Sequence, residues 1–244
     1  MRVMRLIPAV LILILFSTSA YAQDWIDYTS REDRFTVNMP GQPKVETIKW
    51  EAEYGSVFPG RVHTVVKNGF AGPEKYSITV IDYTEAEKVY HARPHPPSFR
   101  QAEYWMMDIQ GSIQYAATKL YRFKPGVKVT HDAWHYIDLV EGHHLNLTNP
   151  DGSRTFVAIY LHENRLYILD GTVPAKGPEP GLFTQSLSFL DAEGKRVRYD
   201  QIYSNKLPPE TMKPPQPQGG DGGVGGGRGQ GGGRGQTPAG GRGQ

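Results

Sequence analysis

Residues 143–173 read HHLNLTNPDGSRTFVAIYLHENRLYILDGTV and contain three strand-like runs separated by two turn signals. In the first turn, Asn149-Pro150-Asp151-Gly152, proline sets the backbone angle of the second position and glycine tolerates a positive φ. The second turn, Leu161-His162-Glu163-Asn164, leads directly into Arg165–Val173. Three consecutive strands joined by short turns predict an antiparallel meander.

Upstream of these three strands, several segments alternate between apolar and polar residues. Residues 34–39 read RFTVNM and stop at Pro40-Gly41, as a strand that meets a turn does. Similar runs occupy residues 45–50, 61–67 and 76–83. These runs predict further strands of one antiparallel sheet.

Three segments have a helical rather than a strand-like pattern. Over residues 98–120 apolar residues recur at spacings of three and four, and Ser98 with Gln101 forms a capping box. A shorter helix is predicted after Thr84, whose hydroxyl would cap it, and a third over residues 180–190. Grouped strands with helices between them predict an α+β fold in which helices cover an antiparallel sheet.

Residues 1–22 have the three parts of a secretory signal peptide. Arg2 and Arg5 precede an apolar run over residues 6–16, and Ala20-Tyr21-Ala22 supplies a cleavage site. The apolar run is about half of the roughly 20 residues that a membrane-spanning helix needs. We therefore expect cleavage before Gln23 and a soluble periplasmic or extracellular protein.

Composition excludes several classes of protein. The chain has no cysteine, which excludes a lipoprotein anchor, disulfides and thiolate metal sites. Without Arg2 and Arg5, basic and acidic residues balance at 25 each, and residues 23–207 alone are mildly acidic. That balance argues against a nucleic-acid or anionic-membrane surface. The length of residues 23–207 predicts a single domain.

Residues 208–244 differ in composition from the rest of the chain. A proline-rich spacer is followed by a glycine run with Arg-Gly-Gln repeats at Arg228, Arg234 and Arg242. Such a segment cannot bury apolar surface, which predicts a disordered tail. Its arginines predict a weak contact with polyanions that salt would screen.

Three motifs resemble those of exported bacterial PsbP-like sandwich domains, which are related in fold to the extrinsic PsbP subunit of photosystem II. The first is Arg34-Phe35-Thr36-Val37 leading to Pro40, the second is Arg165-Leu166-Tyr167, and the third is Phe183-Thr184-Gln185-Ser186. The resemblance spans residues 25–190. It implies a PsbP-like α/β/α sandwich and no catalytic residue, because that bacterial family has no agreed active site.

Four histidines form the densest group of candidate metal ligands: His131, His135, His143 and His144. Neutral imidazoles bind Zn²⁺, Cu²⁺ or Ni²⁺. In a strand, His131 and His135 would lie about 13 Å apart, too far to share a metal, and only pairing across a turn at Glu141-Gly142 would bring His135 near His143. The alternative is that these histidines lie on solvated strand faces.

The sequence contains neither a Gly-x-Ser-x-Gly nor a Ser-x-x-Lys nucleophile motif. We therefore assign no catalytic residue and no cofactor, and we predict an exported, non-enzymatic binding or interaction module whose partner is an envelope protein or ligand. The alternative function is a histidine-based metal-binding protein or metal-dependent enzyme that uses the four histidines.

Overall fold

A computed structural model describes residues 25–94 and 103–208, all of which belong to one unit, Met1–Thr211. Two antiparallel sheets form its framework. The strands in chain order are β1 (Ile26–Ser30), β2 (Phe35–Met39), β3 (Lys44–Glu51), β4 (Val57–Gly69), β5 (Gly72–Asp82), β6 (Lys128–Ile137), β7 (Val140–Thr148), β8 (Arg154–His162), β9 (Arg165–Val173) and β10 (Ser188–Phe189). The large sheet has the order β3-β4-β5-β9-β8-β7-β6, and the small sheet has the order β1-β2-β10.

The predicted meander is confirmed, since β7, β8 and β9 are sequential neighbours in the large sheet. Glu163 and Asn164 both have positive φ, which is the conformation that a two-residue hairpin turn requires. Gly152 has a φ of +80°, as expected for the glycine of the preceding turn. Turn chemistry therefore fixes the register of these three strands.

The helices are short: α1 (Ala86–His91), α2 (Tyr104–Gln110), α3 (Ser112–Ala117) and α4 (Gly181–Thr184), with a π-helical turn at Thr118–Arg122. The prediction of an α+β fold, with helices covering an antiparallel sheet, is wrong. The described residues form a β-rich fold of two sheets, in which no α-helix exceeds the 7 residues of α2. None of the helices in residues 25–94 and 103–208 is long and apolar enough to cross a membrane.

The three predicted helices differ from the observed ones for local reasons. Gly111, a poor helix former, separates α2 from α3 within the predicted helix over residues 98–120; its proposed cap at Ser98 and Gln101 lies outside the described residues. The predicted helix over residues 180–190 ends early because Ser188 and Phe189 pair with β2. The Thr84 hydroxyl donates to Asp82 instead of capping α1.

Alternating side chains give the large sheet two different faces. On the helical face, Val157 and Ile159 of β8 lie in one core with Trp105 and Ile109 of α2. On the small-sheet face, residues of β8 and β9 such as Tyr160 and Tyr167 lie in a second core with Phe35 and Phe189 of the small sheet. The helical face is thus the one that α2 covers, and the small-sheet face is the one that the small sheet covers.

The turn between β1 and β2 is fixed to the large sheet by the carboxylate of Asp33, which is buried. His63 Nε2 lies 2.9 Å from its Oδ2, and Arg61 Nε donates to its Oδ1 over 2.8 Å. Ser30 Oγ donates to Oδ2 over 2.9 Å. The Tyr167 hydroxyl donates to the main-chain oxygen of Asp33 over 2.9 Å. Since Arg61 and His63 lie on β4 and Tyr167 on β9, one residue joins the two sheets.

Burial alone would raise the pKa of Asp33, but hydrogen bonds from His63, Arg61 and Ser30 outweigh burial and lower the pKa to about 2. The folded state therefore favours the ionised carboxylate more than the unfolded state does. By linkage, this stabilisation is fully present above about pH 4 and is lost as pH falls through about 2.

Asp33→Asn should lower the free energy of unfolding by about 2–3 kcal/mol at neutral pH, because it removes the charge that Arg61 and His63 face. The difference between variant and wild type should narrow as pH falls from about 4 to 2, where the wild-type carboxylate takes up a proton. Urea unfolding at several pH values measures both effects. A constant difference across that range would contradict this account.

Candidate functional site

A two-residue turn sets the positions of the four predicted histidines. Asp138 and Leu139 have φ of +46° and +63°, and they close a hairpin between β6 and β7. The turn considered at Glu141-Gly142 is not formed, since both residues lie within β7 and His135 pairs with Gly142.

This register sorts the histidines by face. His131 and His135 are on β6, and His144 pairs opposite Ala133, so these three belong to the small-sheet face. His143 pairs opposite Trp134 and belongs to the helical face. The structure therefore does not bring the four side chains together as one set.

His143 is held in an ion-paired cluster on the helical face. Its Nε2 contacts Asp132 Oδ1, and its Nδ1 lies 3.3 Å from the side-chain nitrogen of Gln114. Arg122 donates to both oxygens of Asp132, over 2.7 and 2.9 Å. Chiefly through the hydrogen bond from Arg122, the pKa of Asp132 is lowered to about 2. Arg122 is thus the main hydrogen-bond partner of this carboxylate.

His135 and His144 stack in parallel, with ring centroids 3.6 Å apart and planes 11° apart. His135 Nδ1 lies 3.0 Å from the Tyr160 hydroxyl, and His144 Nε2 lies 2.9 Å from the same oxygen. Burial lowers the pKa of both rings, that of His144 to about 4. Both imidazoles are therefore neutral at pH 7, with a lone pair on one nitrogen of each.

Within residues 25–94 and 103–208, no three His, Cys, Asp or Glu side chains form a group that could hold a metal. His131 is exposed, and a positive charge on its ring would lower the pKa of both His135 and His144. Metal binding by the four predicted histidines thus stays a prediction, and the structure divides them between two environments.

A second candidate site is a cleft of about 430 Å³ on the helical face, between Tyr121, β9 and the β7–β8 turn. Asp170 lines this cleft and accepts hydrogen bonds from the Tyr121 hydroxyl, over 3.1 Å, and from Thr172 Oγ1, over 3.2 Å. Thr172 Oγ1 is 2.8 Å from Thr155 Oγ1, to which Asn149 donates over 2.9 Å. These residues form a continuous polar floor.

Lys75 and Lys124 also line this cleft, and both are exposed. Burial raises the pKa of Asp170, while hydrogen bonds from Tyr121 and Thr172 and the charges of the two lysines oppose that rise. The lining of the cleft therefore combines hydrogen-bond acceptors with two ammonium groups.

Sequence reasoning missed this cleft. One signal was present. The apolar run Leu166-Tyr167-Ile168-Leu169 in β9 is followed directly by Asp170, a lone acidic residue within the strand. A lone carboxylate in a strand that is buried on both sides needs hydrogen-bond partners. The partner Tyr121 comes from the π-helical turn, which no sequence pattern placed next to β9.

No family model and no curated protein matches the chain. Among solved structures, a crystal structure of a Pseudomonas aeruginosa protein of unknown function is similar to it at 13% identity; the match covers 62% of this chain and 83% of that chain, with a TM-score of 0.29. A likeness at this TM-score carries no conclusion about fold or function. The resemblance to PsbP-like domains stays a prediction.

Arg122→Gln should raise the pKa of Asp132 from about 2 toward the ordinary aspartate value, because Arg122 provides its main hydrogen bonds. The stability loss should stay near 1 kcal/mol, since the pair is partly exposed. A carboxyl-carbon NMR titration measures the pKa directly. Arg198→Gln, which removes the partner of Asp138 instead, is the control and should leave Asp132 unchanged. A pKa that remains near 2 in Arg122→Gln would show that His143 alone holds the charge.

Proposed function

We propose that this chain is an exported, non-enzymatic binding module of the bacterial envelope, and that its ligand binds in the cleft around Asp170. The cleft supports this proposal because acceptor oxygens and two ammonium groups line the same open space. The signal-like residues 1–22 support export, and the resemblance to PsbP-like domains supports a module without a conserved catalytic centre. A weak contact between the arginines of residues 208–244 and polyanions of the envelope would help to attach the protein to the envelope.

The chemistry of the cleft favours an acidic, hydroxylated ligand. Lys75 and Lys124 are suited to a carboxylate or a phosphate, since charge-assisted hydrogen bonds are the strongest kind available to an exposed site. The oxygens of Asp170 and the hydroxyls of Thr155 and Thr172 are suited to ligand hydroxyl or amide groups. A sugar that carries a carboxylate meets both requirements, and the bacterial envelope contains such sugars.

The hydrogen bonds of Asp170 favour a role in ligand binding over a role as a catalytic base. Each of its oxygens already accepts a hydrogen bond from the protein, one from Tyr121 and one from Thr172. A general base must instead reach a proton of the substrate within hydrogen-bond distance. A carboxylate with both oxygens engaged is suited to orienting a ligand through its remaining lone pairs.

N-acetylmuramic acid should bind more tightly than N-acetylglucosamine, because the two sugars differ by the lactyl carboxylate that the lysines would meet. Lys75→Gln and Lys124→Gln should each weaken binding of the acidic sugar about three- to tenfold and reduce its salt dependence. Isothermal titration at low and high salt measures both effects. Lys49→Gln, an exposed lysine on the edge strand β3, is the control and should bind as wild type does.

Equal affinity for the two sugars, or unchanged affinity in both lysine variants, would contradict the proposed site. Absence of binding to either sugar would contradict the proposed ligand class. Because Lys75 and Lys124 are exposed, their replacement should leave the thermal midpoint within a few degrees of wild type, so a loss of binding would not reflect unfolding.

A further inference from the structure

Residues 198–208 form a strap that contacts the β6–β7 and β8–β9 turns and contains no helix and no strand. The main-chain N–H of Tyr203 donates to the oxygen of Leu139 in the β6–β7 turn over 3.0 Å. The Tyr203 hydroxyl accepts a hydrogen bond from the N–H of Glu163 in the β8–β9 turn over 2.9 Å. The strap is therefore attached to the sheet at turns and not through a ladder of strand hydrogen bonds.

The side chain beneath the strap is His162, the last residue of β8, which is 0% exposed. Its ring stacks on that of Phe189 in β10, with centroids 4.2 Å apart and planes 21° apart. On the strap, the Tyr203 ring lies 4.7 Å from the imidazole, and the Tyr199 hydroxyl lies 2.7 Å from Nε2. Within residues 25–94 and 103–208, Nδ1 of this ring has no hydrogen-bond partner.

We propose that the strap is an acid-released closure, in which uptake of a proton by His162 detaches residues 198–208 from the sheet and loss of the proton closes them again. A protonated imidazole donates from both nitrogens. Nδ1 would then carry an N–H without an acceptor, and the ring would carry a charge among aromatic side chains, both of which are unfavourable. Opening the strap exposes the ring to water, which removes both costs.

The charged groups around His162 do not remove these costs. Glu163 in the adjacent turn favours the protonated ring, but it pairs with Arg34 over 2.6 Å. Arg34 and Arg165 both oppose protonation. The two tyrosines of the strap stay uncharged in acid, because burial raises the pKa of each. The ring therefore depends on water to accommodate its charge.

The direction of the pH dependence follows from burial, which lowers the pKa of His162 to about 4. In the open state the ring should have the ordinary histidine pKa of about 6.5. Since the open state binds the proton more tightly, closure is most stable above about pH 6.5 and weakens as pH falls toward 4. The equilibrium constant for opening should rise by about two orders of magnitude between pH 7 and 4.

Release of the strap would also change a cleft of about 390 Å³ on the helical face. Ile202 and Leu207 of the strap line this cleft together with Ile113 and Trp134. Detachment would take away the strap side of the cleft and expose its apolar side chains to solvent. Acid would thus alter a surface as well as loosen a segment.

The test is amide hydrogen exchange of the full chain, measured by NMR from pH 7 to 4 and corrected for the intrinsic pH dependence of exchange. The amides of Tyr203 and Asn164 report on the strap, because Asn164 N–H donates to Asn205 of the strap over 3.0 Å. Their protection should fall about 100-fold, while amides in the middle of β9 keep a higher protection. Loss of protection at the strap only together with β9 would overturn the proposal.

His162→Phe keeps an aromatic ring beneath the strap and removes the titrating group. The pH dependence of strap protection in this variant should shrink to within a few-fold. His91→Gln, which replaces an exposed histidine on α1, is the control and should keep the wild-type pH dependence. A wild-type pH dependence in His162→Phe would contradict the assignment to His162.

The wild-type protein decides the question even if His162→Phe does not fold. An NMR titration of the His162 ring should give a pKa well below that of the exposed His91, with strap amides losing protection as the ring takes up its proton. A His162 ring that titrates near pH 6.5 while the strap amides stay protected would overturn the proposal, since the closed state would then accommodate the charge.

Discussion

The ionised carboxylate of Asp33 is the constraint on which the arrangement of the two sheets depends. The side chains of Arg61 and His63 on β4 hydrogen-bond to this carboxylate. The main-chain oxygen of Asp33 accepts a hydrogen bond from the Tyr167 hydroxyl on β9. A buried charge that loses its partners costs several kcal/mol, so the β1–β2 turn has one favourable position. With that turn fixed, Phe35 and Phe189 pack edge-on against the Tyr167 ring and close the small-sheet face.

Because the small sheet covers one face of the large sheet, the two faces of the large sheet differ in their chemistry. On the small-sheet face Tyr160 is fully buried, and its hydroxyl finds its hydrogen-bond partners in His135 and His144. On the helical face the helical segments end at Arg122, and the polar floor around Asp170 remains open beside the β7–β8 turn. A buried cluster of two imidazoles and a tyrosine hydroxyl and an open polar cleft therefore lie on opposite faces of one sheet.

The strands could be predicted from the sequence because their pattern and their turns agree. The segment Arg165–Val173 has the predicted bounds, since its apolar run and the Glu163-Asn164 turn define the same strand. The helix bounds could not be predicted in this way, because a spacing of three and four residues identifies the side chains that face the core but does not reveal a break at Gly111. The fold class was wrong for this reason.

The sites were harder to predict than the strands, because they depend on register. Leu139 adopts a positive φ without any glycine or asparagine signal, so the hairpin that sorts the histidines was not predictable from its turn. Gly142 suggested a turn, whereas its role is to leave room for the Tyr160 ring. Nothing in the sequence around Tyr160 distinguishes it from a core aromatic residue, and only the register places its hydroxyl between two imidazoles.

We propose that this protein acts through the open polar cleft on the helical face. Amide chemical-shift mapping of the isotope-labelled protein during addition of N-acetylmuramic acid tests this claim most directly, because it locates the ligand without assuming where it binds. The largest shift changes should fall on Lys75, Lys124, Asp170 and Thr172, which line the cleft. Changes confined to the small-sheet face or to the edge strand β6 would contradict it.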